Sequence, residues 1–369
     1  MVVTVQPKDT LYSIARKYGV SVDVIKSANN LFTENLFIGQ QLRLELPSPI
    51  TSTASVPVSS SASGLGVFGI QSSNKGSYNQ YVVSYPTPTG VDTSNPMRDN
   101  YPSPNIVNSR GVSYTGKSTF DSKKDWFSDL CQQSFYLDVL KYISKNEGCF
   151  DAVNSYDKSI FSFGFIQFTG AMASGSVLSK VLFRFKTRDQ YAFTDTFGKY
   201  GIDVQNGNPS PILLFKAENG SLFQGDDAWR QIATDLRLTT MFIASGFRKS
   251  MVRAQIEIAL ENYIYPAVGE KANISFGGSL VSLNNVLRTQ MGFALRIDLA
   301  VNRGLTGSLQ ALQPVIQQVA NESGINSIGE LANIDERRVV QVLAQNDGMG
   351  TPKSNRILGV LNAGFGFAK

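Results

Sequence analysis

Glu147 stands at the end of a run with helical spacing, and Asp157 follows ten residues later in an irregular stretch, "GCFDAVNSY". Leu137, Leu140 and Ile143 share a helix face with Glu147, and Gly148 ends the helix. A carboxyl on that face meets the core or a cleft. Partial desolvation and the negative end of the helix dipole both favour its neutral form, which a glycosidic general acid requires. A second carboxylate returning across a cleft completes a minimal glycosidase, and the separation of the two decides between retention and inversion. Asp157 is the candidate for that role. Asp151 competes, but it reads better as a turn residue beside Ala152. The plainer reading of Asp157 is a turn or strand start with Asn154 and Ser155; that of Glu147 is a solvated helix end.

Composition narrows the chemistry. The chain of 369 residues has no histidine and two cysteines, Cys131 and Cys149. Ser-His-Asp and Cys-His nucleophiles are excluded, as are ordinary zinc sites. No metal and no cofactor is expected. The cysteines read as two buried thiols rather than a disulfide. The net charge is +5, and no Lys/Arg cluster interleaves with aromatics, so nucleic acid is not an expected partner. No segment approaches the roughly 20 apolar residues of a membrane span, and no secretory signal is visible. The expectation is a protein made in the cytoplasm without a signal peptide.

The elements that must position these groups fall into three stretches. Residues 1–46 order as strand, helix, helix, strand, a small α+β unit with a βααβ pattern. Asp9 or Thr10 caps "LYSIARKYG", and Ser21 caps "VDVIKSANN". Residues 47–118 are rich in Ser, Thr, Pro and Gly and read as a flexible linker, able to reach on the order of 200 Å. "GLGVFGIQ" and "YNQYVVSY" within it are apolar enough to dock on a neighbour. Residues 119–369 read as mainly α, with "SIFSFGFIQF" the best strand candidate. "RIDLAVNRG" carries Asp298 and Asn302 in an apolar helix, either a cleft wall or a satisfied buried network.

"VQPKDTLYSIARKYGVS", "IKSANNL" and "FIGQQLRL" resemble the LysM domain across the whole first unit, with Lys8 in place of the usual turn glycine. LysM modules bind N-acetylglucosamine chains of peptidoglycan or chitin. The resemblance implies sugar contacts at Asp9, Thr10, Leu11, Asn29, Asn30, Ile38 and Gly39. Asp9 and Thr10 read equally as helix caps.

"KNEG" followed by "SFGFIQFTG" looks like the glutamate and "GLMQ"-type signature of the lysozyme-like superfamily, in goose-type lysozymes and lytic transglycosylases. "DKSIFSFGFIQFTG" also resembles chitosanases. Phe-Ile replaces the usual Leu-Met pair, and the Glu-to-Asp interval is shorter than in chitosanases. The resemblance covers about 25 residues. It implies Glu147 as acid, Asp157 as base, Ser162 as a water-holding hydroxyl, and Tyr156, Phe163, Phe165 and Gln167 along a sugar groove, with at least two of these aromatics reading as core instead.

The resulting expectation is a multidomain cell-wall lytic glycosidase that cleaves between N-acetylmuramic acid and N-acetylglucosamine. Its parts would be a LysM module, a Ser/Pro-rich linker and a lysozyme-like domain. It would act at the wall, borne on a particle or released on lysis. If Asp157 is misplaced, Glu147 alone can serve as acid and then base. The alternative is a structural component of a phage-tail-like injection particle, with LysM as an adaptor among particle proteins.

Overall fold

The computed structural model describes residues 2–6, 9–18, 25, 29, 36, 39–44 and 67–366, apart from 88–89, 100–107, 109–110, 132, 173–174 and 347–350. The chain divides into two compact units, Met1–Ser59 and Ser60–Lys369.

In the first unit, β1 (Val2–Thr4) and α1 (Leu11–Tyr18) precede β2 (Gln41–Arg43). The two strands pair antiparallel, with Val3 opposite Leu42. Thr10 and Ser13 cap α1 reciprocally: each backbone N–H donates to the other's hydroxyl, at 2.9 and 3.0 Å. Val5, Leu11, Ile14, Ile25, Leu42 and Leu44 form the core. The expected second helix lies outside the described residues except for Ile25 and Asn29.

The second unit opens with β3 (Gly69–Asn74), β4 (Asn79–Thr87), β5 (Gly90–Thr93), β6 (Met97–Arg98) and β7 (Ser113–Tyr114). These continue into β8 (Val153–Asn154), β9 (Ser162–Phe163) and β10 (Phe168–Thr169) as one antiparallel sheet in the order β10-β9-β8-β7-β6-β4-β3, with β5 beside β4. Strands therefore occupy much of the stretch expected to be a linker. Val83 and Met97 are both fully buried and anchor it. Asp99, just after β6, ties it to the start of β4 by accepting from Asn79 N, Asn79 Nδ2 and the Tyr81 hydroxyl. A strand held by its ladder and one apolar anchor needs no long hydrophobic pattern.

Helices carry the rest. α2 (Ser134–Glu147) buries Leu137, Val139, Leu140 and Ile143. It stops at Gly148, whose φ is +149° and where a Cβ would lie 2.7 Å from Ala152 Cβ. α3 (Val177–Arg188) and α4 (Gln190–Thr196) lead to the three-stranded sheet β11 (Ile202–Gln205), β12 (Ile212–Lys216) and β13 (Leu222–Gln224). α5 (Gly225–Thr234), α6 (Leu236–Ser245) and α7 (Lys249–Ala259) follow. α7 runs through a π-turn, Leu260–Ile264, into α8 (Tyr265–Val268). A hairpin of β14 (Asn273–Phe276) and β15 (Ser279–Ser282) precedes α9 (Gln290–Glu322), which breaks at Gly304, φ +70°. α10 (Glu336–Asn346) and α11 (Thr351–Gly359) complete the unit.

Its centre is aromatic. Phe161 stacks on Trp229 at 5.7 Å, and Phe242 touches both rings as well as Phe163 and Phe197. Such ring pairs add about 0.5–1.5 kcal/mol each beyond their buried area. Cys131 and Cys149 are free thiols and half-buried, where full burial was expected.

Candidate functional site

Glu147 ends α2 in a polar cluster assembled from distant elements. Its Oε1 accepts from Arg356 Nη1 of α11 at 2.5 Å. The same guanidinium donates from Nη2 to Asp298 Oδ1 of α9 at 2.6 Å, and from Nε to both Asp298 oxygens at 3.2 Å. Asp298 is 1% exposed, while the Glu147 side chain retains 20% exposure. Burial opposes the charge on Arg356, but the Asp298 and Glu147 carboxylates hold it protonated, above its ordinary value. Tyr263, in the π-turn, is pushed up to about 12 by burial, with the Glu147 charge adding to the effect. A π-turn inside a helix is a frequent companion of functional sites.

The partner of Glu147 is thus a cation, not the apolar wall that the helix periodicity suggested. Leu137, Leu140 and Ile143 do face the core, and Glu147 continues their stripe at the helix end, where it meets charge. In "RIDLAVNRG", Asp298 joins a satisfied buried network: Arg356 holds its side chain and Asn302 Nδ2 donates to its carbonyl at 2.8 Å. Arg296, 1% exposed, donates on another side to Asn284 Oδ1 at 2.9 Å and to the Ala267 carbonyl.

Gln167 reaches the same neighbourhood. A Cβ on Gly148 would lie 3.7 Å from Gln167 Nε2. Gln167 adopts a left-handed backbone, φ +54°, and its amide donates to the Gly164 carbonyl at 3.0 Å. A non-glycine residue held there is strained and kept by its surroundings. Gly164 makes the turn possible: its φ is +89°, and a Cβ would meet Gln255 Oε1 at 2.2 Å.

The other residues of the motif sit elsewhere. Asp157 Oδ1 accepts from Ser159 N at 2.8 Å and Oδ2 from Asn154 Nδ2 at 3.0 Å, which makes it the capping residue of its own turn. Asp157 and Glu147 share no partner among the described contacts. Tyr156 and Ser162 are each 4% exposed, and Phe163 and Phe165 are fully buried. Phe163 packs on Phe242, and Phe165 packs on Phe120, Phe150 and Phe168. These three aromatics are core, so the groove expected along them is not formed by their side chains. Phe161, Phe163 and Phe165 recur at every second residue, a signal for one buried face.

Asp151 is more than a turn residue. It is fully buried, and its carboxylate accepts from Lys117 N, Ser118 N and the Tyr114 hydroxyl, at 2.8–3.1 Å. Burial pushes its carboxyl up, and the three donors pull the other way. Tyr114 is raised by burial and by the Asp151 charge.

In the first unit, Asp9 Oδ2 accepts from Gln6 N at 2.8 Å and closes the turn before α1. Thr10 caps the helix. Asn29 clasps β2, accepting from Arg43 N at 2.6 Å and donating to the Arg43 and Ile25 carbonyls. Leu11 is 1% exposed, so its side chain belongs to the core and not to a binding surface. Gly39 is exposed at φ +86°, with its N–H donating to Val5 O. Asn30 and Ile38 lie outside the described residues. Residues 3–45 match the family of the LysM domain. The N-terminal unit is a LysM domain. LysM domains bind peptidoglycan or N-acetylglucosamine polymers.

The curated proteins similar to the chain include N-acetylmuramoyl-L-alanine amidase sle1 of Staphylococcus aureus, from strains USA300, NCTC 8325 / PS 47 and COL. Each is 38% identical over 61 residues, 16% of this chain and 18% of the relative. That similarity lies in the LysM region. No solved structure matches. Among the described residues, no group of three or more Cys, Asp or Glu side chains is placed to hold a metal ion, and no helix is long and apolar enough to cross a membrane.

Proposed function

We propose that the LysM domain holds the chain on peptidoglycan while the second unit acts as a lytic glycosidase, with Glu147 as the acid. The observation that carries this reading is the convergence on one carboxylate. Glu147 ends α2 with part of its side chain exposed, the strained Gln167 lies against the next residue, and Tyr263 and Arg356 complete a polar surround. The step needs Glu147 to release Arg356 and take up a proton before it acts, after which its carboxyl passes that proton to the glycosidic oxygen between N-acetylmuramic acid and N-acetylglucosamine. Arg356 keeps its second anchor on Asp298 when Glu147 changes charge, so the cation stays in place through the step. Asp157 is spent on its turn, which favours the route in which Glu147 acts as acid and then as base.

A second reading rests on the burial of Tyr156, Ser162, Phe163 and Phe165 and on the ion pair that already occupies Glu147. In it the second unit is a structural component, such as part of a phage-tail-like particle, and LysM is an adaptor. Incubation with purified peptidoglycan, chitin and chitosan separates the two. The enzyme reading predicts soluble fragments from peptidoglycan, and sedimentation with insoluble peptidoglycan that deletion of residues 1–46 abolishes. No fragment from any of the three polymers supports the structural reading.

A further inference from the structure

The second unit carries a surface cleft of about 500 Å³ lined by Arg188, Arg248, Lys249 and Arg253, with Asp189 and Ser250. Arg188 ends α3, Arg248 precedes α7, Lys249 and Ser250 lie in its first turn, and Arg253 follows one turn later. The arginines are fixed from behind. Arg188 Nε donates to Glu257 Oε2 at 2.7 Å, Arg248 Nη2 to Asp195 Oδ2 at 2.6 Å, and both Arg253 Nη atoms to Asp129 at 2.6 and 2.9 Å. Glu257 is itself 5% exposed and also accepts from Arg184, so Arg188 is held over a buried carboxylate. Lys249 is exposed, and its charge acts on Asp129, the carboxylate that also holds Arg253. Asp189, the one acid on the lining, accepts from Ala192 N at 3.0 Å to cap α4.

We propose that this cleft binds a phosphodiester-linked polyol chain of the cell wall. Each guanidinium is anchored through part of its donor set and keeps other N–H groups for the oxygens of a phosphate, and holding it in place before binding removes an ordering cost. The first-turn N–H groups of α7, for which Arg248 offers no side-chain cap, add positive potential on the same side. A volume within the usual roughly 300–1,000 Å³ of ligand clefts exceeds the needs of one phosphate and suits several repeat units. The proposal takes from the wall-binding reading only the source of the polymer, and it is independent of Glu147.

The test titrates the full chain with poly(glycerol phosphate), inorganic phosphate, and a single-stranded oligonucleotide of equal phosphate number, at low salt. The polymer carries no N-acetylglucosamine, so LysM binding does not enter. Lys249→Glu reverses an exposed charge of the cleft while placing an acid at a helix start, where it favours the helix. Lys271→Glu, outside the cleft, changes net charge equally. The expected result is polymer binding tighter than that of phosphate or oligonucleotide, weakened about tenfold by Lys249→Glu and unchanged by Lys271→Glu. Equal weakening in both variants, no polymer binding, phosphate binding as tight as polymer, or tighter oligonucleotide binding would each overturn it. Peptidoglycan sedimentation by Lys249→Glu checks the wall-binding reading separately.

Discussion

Asp151→Ala is expected to destabilise the second unit by about 4 kcal/mol, through three donors left unpaired in a fully buried site. Lys117 N, Ser118 N and the Tyr114 hydroxyl all point at this carboxylate, and the site is fully buried. Gly246 packs so closely that a Cβ there would lie 2.5 Å from Asp151 Cα, so the surroundings have little room to readjust. Both tryptophans, Trp126 and Trp229, belong to the second unit, so denaturant unfolding followed by their fluorescence reports on it alone. Asp151→Asn keeps the shape and one acceptor oxygen and should cost less, about 1–2 kcal/mol. The gap between wild type and Asp151→Asn depends on pH. The folded carboxyl titrates above its unfolded value, chiefly through burial, so its stabilising contribution is complete at pH below the unfolded value. That contribution is lost as pH rises through the folded value. The gap should therefore narrow as pH climbs from about 4, near the unfolded Asp value, and a gap that widens would contradict the assignment.

Arg356→Leu carries the second large effect. It leaves Asp298, with a side chain 2% exposed, as an uncompensated buried charge, and removing one partner of such a pair costs about 3–5 kcal/mol. Glu147, at 20% exposure, can turn to water and contributes less. Arg356→Lys retains the charge but loses the fork that spans two carboxylates, and should recover part of the stability. Replacing Asp298 with leucine in the Arg356→Leu background removes the stranded charge, and should recover more than either single change predicts. The same unfolding assay reads all three variants. Equal stability of Arg356→Leu and wild type would show that the α11 contact is not formed in solution.

Local signals were legible in the sequence, and long-range ones were not. The stripe Leu137, Leu140, Ile143 placed α2 correctly, and Gly148 marked its end. The LysM core could be read because its strands and α1 lie within 45 residues and match a known pattern. Arg356 could not be tied to Glu147, because 209 residues separate them and nothing in "SNRILGVLNAG" marks its arginine as different from a solvated one. Asp151 drew its donors from 33 to 37 residues upstream, in a stretch assigned to a linker. That assignment followed serine and proline content, which says little about strands held by ladder bonds and a single anchor such as Val83. The aromatics of "SFGFIQF" fit a sugar groove by resemblance and the core by their period of two, and the structure buries Phe163 and Phe165.

We propose Glu147 as the acid that cleaves the glycan. The direct measurement is the release of soluble muropeptides from purified peptidoglycan by wild type and Glu147→Gln, matched for unfolding midpoint and for sedimentation with the polymer. Wild type should release fragments, with Glu147→Gln slower by about a thousandfold, within the roughly 10²–10⁴-fold that a positioned acid–base group contributes, and with no second carboxylate to take over. Equal rates for the two proteins, or no release by wild type, would contradict the account.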